Sequence, residues 1–205
     1  MNDHYLTAEE LNKTNTYATQ SEIIFLRQEM PGLLPEFARV VMIGAGPGVM
    51  LLSLLDNEKA AKWEVYVIDL VSVKYAQEHM RRAKPFISDM VDKVIWMEGV
   101  RSHIVGHEFA VDGNIDLLIV DGDHTETGIR LDMETWLPIV AENGYVLFHD
   151  YDYKGTEWED KPREDYPEVK LFVDAEMNRP VWNFRPILKI GCSSIFKRYG
   201  FDGRE

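Results

Sequence analysis

Cysteine and basic residues are the scarce residue types in this chain of 205 residues. The single cysteine, Cys192, excludes a disulfide within the chain and a metal site built from several cysteines. Lysine and arginine together number 22 against 35 aspartates and glutamates, which gives a formal net charge of -13. Such a field repels a phosphate backbone, so we expect no nucleic acid as the principal partner. A small molecule is the expected ligand.

Long apolar runs are also lacking. The longest uncharged run, Val40 to Leu55, is shorter than the roughly 20 residues that span a bilayer, and glycines and a proline interrupt it. The first residues, Met1-Asn2-Asp3-His4, lack the basic start and apolar centre of a secretion signal. We therefore expect no membrane segment, a cytoplasmic location and, at this length, one well-buried domain.

What the chain does contain is a glycine turn between two apolar runs. Val40 to Ile43 precedes Gly44-Ala45-Gly46-Pro47-Gly48, and a leucine-rich run then extends to Leu55. This pattern predicts a buried strand, a tight turn and a helix. Glycine reaches positive φ and lets the backbone approach a ligand, and the first amides of the helix lack partners within it. The turn is a candidate site for a nucleotide-like cofactor; alternatively, it only closes a core.

Strand and helix patterns alternate after this turn, which predicts right-handed crossovers and a doubly wound α/β sheet. Near the end, two strand patterns are separated only by Gly191-Cys192, a connection that permits only an antiparallel hairpin. Two helix starts, at Thr7 and Thr19, come before the alternation, and Pro31 is expected to stop the second helix. The later strands are predicted at Glu64–Asp69, Val94–Met97, Ile115–Asp121, Tyr145–Phe148, Val181–Lys189 and Ser193–Lys197, and the later helices at Ser72–Pro85, Glu98–Val111, Ile129–Val140 and after Pro167.

Unusual polar residues follow these strands. The glycine turn follows the first strand, Asp69 the second, Glu98 the third, Asp121-Gly122-Asp123-His124 the fourth and His149-Asp150 the fifth. Because parallel strands end at one edge of the sheet, where ligands bind at the switch point, we expect these residues to converge there.

Asp69 lies about twenty residues past the turn, the spacing at which an acid reaches a ribose hydroxyl. A helix cap or a surface acid is the alternative. Val49 occupies the last position of the dinucleotide fingerprint, which disfavours a nicotinamide or flavin cofactor.

The segment after the fourth strand has two interpretations. Asp123 with Glu126 would form an ordinary capping box, which leaves Asp121 and His124 unexplained. His124 is a candidate general base near neutral pH. Carboxylates here, with His149, could hold a divalent ion. On a regular strand His149 and Asp150 would face opposite ways, so both can bind an ion only if the chain has turned.

The stretch from Asp150 to Glu168 is rich in acids and contains several aromatic residues. It is either a solvated loop or a lid that forms a substrate wall.

Taken together, the chain resembles the class I S-adenosylmethionine-dependent methyltransferases, and within them the small-molecule O-methyltransferases of the macrocin and catechol type. The resemblance covers about Arg39 to Lys197 and implies a Rossmann-like seven-stranded sheet whose final hairpin inserts one antiparallel strand. The single methyltransferase domain would span 1–205, with a helical extension at 1–37 and a core at 38–199. Met42 stands where the family usually has an acid. The motifs that carry the resemblance are Val41–Gly48, Val67–Asp69, Ile119–His124, Trp136–Pro138 and Gly144–Tyr151.

The resemblance also implies residue roles around S-adenosylmethionine and a Mg²⁺ or Mn²⁺ ion. A hydroxyl of a small-molecule acceptor would be deprotonated by His124, with Asp123 orienting it, or by Asp123 itself, and Asp121 would be the third catalytic residue. A cofactor-binding protein without catalysis and a nicotinamide oxidoreductase remain alternatives. The acceptor is not indicated, and a homo-oligomer remains open beside a monomer. The implied cofactor residues are Gly44, Ala45, Gly46, Gly48, Asp69, Leu70, Gly99, Val100 and Asp121, and the implied metal ligands are Asp121, His149 and Asp150.

Overall fold

A computed structural model describes residues 18–83, 88–109, 114–152 and 169–200. Seven strands form one sheet: β1 (Arg39–Ile43), β2 (Glu64–Asp69), β3 (Ile95–Glu98), β4 (Ile115–Val120), β5 (Val140–Phe148), β6 (Phe184–Ile190) and β7 (Ser193–Arg198). The α-helices are α1 (Gln20–Ile24), α2 (Met30–Leu33), α3 (Val49–Leu55), α4 (Lys74–Ala83), α5 (Ser88–Lys93), α6 (Ser102–Phe109), α7 (Glu126–Trp136) and α8 (Val169–Met177). A π-helical turn, Phe25–Glu29, joins α1 to α2, and 3-10 turns occupy Glu58–Lys62, Leu137–Ile139 and Pro180–Trp182.

The strand order is β3-β2-β1-β4-β5-β7-β6. The first five strands are parallel, whereas β7 runs antiparallel to both β5 and β6. Gly191 lies in the left-handed region at φ 56° in the turn between β6 and β7. The seven-stranded α/β fold and the antiparallel hairpin at its end are therefore confirmed.

Both faces of the central strands are buried, as expected for parallel strands covered by helices. In β1, Val40 and Met42 pack with the core on the side of α1 to α5, and Val41 and Ile43 pack with the core on the side of α6 to α8. Trp136 of α7 is fully buried in the second core. These two cores fix the carboxyl ends of the parallel strands at one edge.

The segment before β1 differs from expectation at its end. The Thr19–Glu22 capping box forms as predicted. The prediction that Pro31 stops this helix is wrong, because Pro31 lies in the first turn of α2 and the helix ends at Leu33. Proline is tolerated in a first turn, where its missing N–H has no helical partner. The helix start at Thr7, the helix end at Pro85 and most of the acidic stretch, residues 153–168, lie outside the described residues.

Strand β5 begins earlier than its pattern predicts, at Val140 rather than Tyr145. Its register to β4 shifts between Ile115 and Leu117, and Asn143 takes a left-handed φ of 67°. Among the residues described, no helix has both the length and the apolar character needed to cross a membrane.

Candidate functional site

The ends of β1 and β4 approach each other more closely than a side chain would allow. Gly44 has φ 86°, and a Cβ placed on it would lie 1.9 Å from the carbonyl oxygen of Asp121. The Gly44 amide donates to the carbonyl of Ile68, and the Asp121 amide donates to the carbonyl of Ile43, both at 2.8 Å. The first glycine of the turn is therefore required by the sheet edge itself.

A cavity of about 420 Å³ opens at this edge. Its size lies within the roughly 300–1,000 Å³ that is usual for small-molecule sites. Gly46 has φ 48° and open space where its Cβ would be, so the backbone there is accessible to a ligand. The predicted site residues on the cavity wall are Gly44, Gly46, Asp69, Leu70, Val100, Asp121 and Asp123.

The other predicted cofactor residues lie behind this wall. The Ala45 amide donates to Asp69 Oδ2 at 2.7 Å, and the Gly99 amide donates to the carbonyl of Asp69 at 2.9 Å. Gly48 caps α3 at φ 82°, where a Cβ would lie 3.0 Å from Met80 Sδ. These residues hold the turn and the end of β2 in place.

Asp132, on α7, lines the cavity and was missed by the sequence patterns. It is 3% exposed, and the Ser102 hydroxyl donates to its Oδ1. Burial raises the pKa of Asp132 to about 6; the Ser102 hydrogen bond opposes this shift, and the charge of Asp123 adds to it. Asp132 shares a helical face with Ile129, Met133 and Trp136, so an acid within an apolar stripe was the available signal.

Three ionisable side chains converge beside the cavity. Asp121, His124 and Asp150 each offer a donor atom, and these atoms all lie within 4.8 Å of one another. His124 Nε2 is 3.4 Å from Asp150 Oδ2 and 3.7 Å from Asp121 Oδ1. Two carboxylates and one imidazole can hold a divalent cation, or they can stabilise a proton on the imidazole.

His149 and Asp150 reach the same side because the chain has turned. Asp150 has φ 52°, after β5 has ended at Phe148. His149 Nδ1 lies 3.0 Å from Asp121 Oδ1 and 3.4 Å from Asp150 Oδ1. The condition under which these adjacent residues could act together is therefore met.

These contacts shift the pKa values of both residues. Burial alone would lower the pKa of His149, but the charge of Asp121 and hydrogen bonds to Asp121, Asp150 and Cys192 hold it well above its ordinary value. Burial would raise the pKa of Asp150, yet its hydrogen bond and charge interaction with His149, together with the charge of His124, lower it. Burial raises the pKa of the Cys192 thiol to about 11.

Asp123 has a local role at the start of α7. Its Oδ1 accepts from the Thr125 amide at 3.0 Å. The helix cap is Thr125, whose hydroxyl accepts from the Gly128 amide at 3.1 Å. The alternative in which Asp123 and Glu126 form a capping box does not occur, because the helix begins two residues later than that box requires.

The sheet has five parallel strands whose order reverses at a switch point between β1 and β4, and one antiparallel strand is inserted beside β5. Together with a glycine turn that faces a cavity, these features define the Rossmann-like methyltransferase fold. Residues 41–151 match the family model described as "Methyltransferase domain". This match covers more than half of the chain, which belongs to that family, and the predicted resemblance is confirmed. A search of curated proteins finds no significant match.

Solved structures agree at the level of the fold. The cofactor-bound protein Rv0187 from MTB superposes with a TM-score of 0.65 at 14% identity, over 89% of this chain and 82% of that one. An O-methyltransferase from Bacillus cereus in complex with SAH gives 0.66 at 13% identity, over 98% and 93%. An rRNA methylase from Streptococcus thermophilus gives 0.56 at 14% identity, over 87% and 94%. At these identities the acceptor does not follow from the fold.

Proposed function

We propose that this protein transfers a methyl group from S-adenosylmethionine to a hydroxyl of a small-molecule acceptor. The proposal rests on what surrounds one cavity. The glycine turn and Asp69 lie on the cavity wall, and the cluster of Asp121, His124 and Asp150 lies beside it. This arrangement can bind a nucleoside-containing donor next to groups that move a proton.

The residues present fit the proposed cofactor. The Asp69 carboxylate accepts from the amides of Ala45 and Val71, and its remaining lone pairs can accept from ribose hydroxyls. The open backbone at Gly46 suits the methionine end, and Val100 offers an apolar wall to the adenine. When bound, the cofactor supplies a methyl group on a positively charged sulfur for in-line displacement.

His124 is the proposed general base. Its contacts with Asp150 and Asp121 orient the imidazole and stabilise the positive charge that it acquires with the proton of the acceptor hydroxyl. The structure does not give the orienting role to Asp123 alone, since Asp123 Oδ1 accepts from Thr125. The carboxylates of Asp121 and Asp150 therefore replace it in this proposal.

A divalent ion such as Mg²⁺ or Mn²⁺ also fits this cluster. The sequence favoured Asp121, His149 and Asp150 as ligands, whereas the donor atoms grouped by the structure belong to Asp121, His124 and Asp150. When an ion is bound, we propose that this second set holds it and that His124 is then a ligand and not the base, with His149 positioning Asp121 through its 3.0 Å contact. A bound ion would lower the pKa of the acceptor hydroxyl.

The central test is calorimetric titration of the purified protein with S-adenosylhomocysteine after treatment with a chelator. We expect saturable one-site binding, and Asp69→Ala should weaken it about 10- to 100-fold, because a hydrogen-bonded charged group is lost. Asp89→Asn, an exposed acid at the start of α5, is the control and should bind as the wild type does. Absence of heat in the wild type would remove the proposal.

Activity and metal dependence are measured separately. The protein is assayed with a panel of hydroxylated acceptors, with chelator alone and with Mg²⁺ or Mn²⁺ added back. Cofactor binding without transfer to any acceptor would favour the non-catalytic alternative. Transfer that is unchanged by chelation would favour His124 as the base without an ion.

A further inference from the structure

A second cluster of metal-ligand residue types lies behind the candidate catalytic cluster. Glu22 comes from α1, His149 follows β5, and Cys192 lies in the turn between β6 and β7. The side chains of Glu22 and His149 are 0% and 2% exposed, and Cys192 is buried. One donor atom from each lies within 4.8 Å of the other two. The proposed methyl transfer uses neither Glu22 nor Cys192.

We propose that Glu22, His149 and Cys192 form a structural binding site for a transition-metal ion of the zinc type. Such an ion would tie the first described helix to the end of β5 and to the hairpin turn. This site is distinct from the candidate Mg²⁺ or Mn²⁺ position on the cavity side of His149.

The spacing of the donor atoms supports this site. In tetrahedral zinc sites, metal–nitrogen and metal–oxygen distances of about 2.0 Å and a metal–sulfur distance of about 2.3 Å place the donors roughly 3.3–3.6 Å apart. Here Cys192 Sγ is 3.2 Å from Glu22 Oε1 and 3.6 Å from His149 Nε2, and His149 Nε2 is 3.9 Å from Glu22 Oε1. A metal ion fits among them after shifts of a few tenths of an ångström.

The outer contacts aim these donors at one point. His149 Nδ1 lies 3.0 Å from Asp121 Oδ1, so its hydrogen is directed to the carboxylate and Nε2 faces the cluster. Metal-binding histidines usually donate their other ring N–H to a carboxylate in this way. Glu22 Oε2 accepts from the Thr19 amide at 2.6 Å and from its hydroxyl at 2.7 Å, which leaves Oε1 on the Cys192 side.

The donor chemistry selects the type of ion. A thiolate, an imidazole and a carboxylate suit zinc or cobalt, whereas magnesium and calcium require oxygen ligands. The negative charges of Glu22 and the Cys192 thiolate would balance the charge of a divalent ion inside the protein. Binding would release the protons carried by the thiol and by Nε2, because ligands bind in their deprotonated forms. Asp150 Oδ1, 3.6 Å from Cys192 Sγ, lies nearby as a further oxygen.

The competing explanation is a hydrogen-bond network without metal. The Ser193 hydroxyl donates to Glu22 Oε1, and the Cys192 thiol can donate to the same oxygen. This network would hold the same three elements together. It predicts no bond between the Cys192 sulfur and a bound cobalt ion, so the two explanations can be separated.

The test uses the full chain, unfolded with a chelator and refolded with Co²⁺, because a buried site loads during folding. Cys192 is the only cysteine in the chain, so a sulfur-to-cobalt charge-transfer band reports this site alone. We expect one such cobalt per chain, loss of the band in Cys192→Ser, and about tenfold or greater weakening in Glu22→Gln. His124→Gln removes a donor of the neighbouring cluster only and should retain the band.

The wild-type protein decides the question even if a variant does not fold. Refolding with Zn²⁺ should raise its melting temperature relative to the chelator-treated protein, because an ion that binds only the folded state stabilises it. A wild-type protein with no charge-transfer band would overturn the proposal, because a zinc-dependent rise alone can come from the Asp121, His124 and Asp150 cluster. An unchanged cobalt affinity in folded Glu22→Gln would overturn it as well.

Discussion

His149 shows how one side chain can connect two sets of residues. Its Nδ1 contacts Asp121 at the cavity, and its Nε2 lies 3.6 Å from Cys192 on the opposite side. At 2% exposure it is the most enclosed of the site histidines. A proton or metal ion on Nε2 therefore acts electrostatically, through the imidazole, on the Asp121 carboxylate at the cavity wall.

Asp121→Ala should reduce methyl transfer by at least about 100-fold, because the variant loses the carboxylate that in the proposed mechanism supports the base or binds the ion. The measurement is transfer of a labelled methyl group at saturating cofactor. Asp116→Asn is the matched control, since Asp116 lies at the start of β4, the strand that Asp121 follows, and its Oδ2 accepts from the Arg39 amide. Full activity in Asp121→Ala would contradict the assignment.

Asp132→Asn should stabilise the protein at pH 8 and have little effect near pH 4. Folding raises the pKa of Asp132 from 3.8 to about 6, so the folded state favours the protonated acid. Its stabilising contribution is therefore complete below pH 3.8 and is lost as the pH rises through 6. The amide should gain about 1–3 kcal/mol at pH 8 while still accepting from Ser102.

Urea unfolding of both proteins at the two pH values measures this difference. Asp89→Asn provides the control for removal of an exposed acid and should show no such pH dependence. Equal stabilities of wild type and Asp132→Asn at pH 8 would contradict the prediction.

Some site residues are visible in the sequence because their position follows from strand ends. Asp69 and Asp121 line the cavity at the sheet edge where their positions after strands predict them to lie. Glu22 is recognisable as the acid of a capping box, but its contact with Ser193 is not, because no local pattern relates residues 171 positions apart. Asp132 required knowledge of which face of α7 meets the cavity.

At the scale of elements, the glycine turn allows two similar substitutions with different outcomes. Gly44→Ala should destabilise the fold by several kcal/mol, since its Cβ would collide with the Asp121 carbonyl at 1.9 Å and its φ is left-handed. Gly46→Ala should cost only about 1 kcal/mol of strain, because nothing lies within 4 Å of the new Cβ.

The two variants should differ in cofactor binding as well. The methyl group of Gly46→Ala would project from the cavity wall and should weaken S-adenosylhomocysteine binding in a protein that still folds. Thermal unfolding and calorimetry together measure both effects. A Gly44→Ala variant as stable as Gly46→Ala would contradict the described approach of β1 to β4.

The boundaries of elements were predicted less well than their order. Pro31 does not end the helical segment, because α2 begins at Met30, directly after the π-helical turn, and Pro31 lies in its first turn. The start of α7 does not follow from the sequence, because Asp123 and Thr125 are both good caps and only the backbone path selects Thr125. Strand β5 extends back through Asn143-Gly144, a pair that by itself predicts a turn.

For the whole molecule, the net charge of -13 should affect donor and product differently. S-adenosylmethionine carries one net positive charge at neutral pH, and S-adenosylhomocysteine carries none. The acids on the cavity wall, Asp69, Asp121, Asp123 and Asp132, should favour the donor. Raising the salt concentration from about 0.02 to 0.5 M should therefore reduce the affinity for S-adenosylmethionine, relative to that for S-adenosylhomocysteine, about two- to threefold.

Competition calorimetry at the two salt concentrations measures the ratio of the affinity for S-adenosylmethionine to that for S-adenosylhomocysteine. Because both ligands share the adenosine and the amino acid parts, the product is the internal control for effects of salt on the protein. A ratio that does not change with salt would show that the field of the acids does not reach the sulfur.

The sheet was predictable as a whole because alternating strands and helices permit few arrangements. The hairpin at its end followed from the two-residue connection at Gly191-Cys192. What the sequence could not give is where the helices before β1 pack, because amphipathic helices fit several faces of such a sheet. Their docking brings Thr19 and Glu22 against Gly191, where a Cβ would lie 2.1 Å from Thr19 Oγ1.

The contact between Glu22 and Cys192 also bears on synthesis in the cell. The two residues are 170 positions apart, so the ribosome makes one near the start of this sequence and the other close to its end. The glycine turn and β1 to β5 can assemble earlier, but the environment of His149 is complete only when the hairpin has emerged. A nascent chain therefore completes this contact only when nearly all of this sequence has been translated.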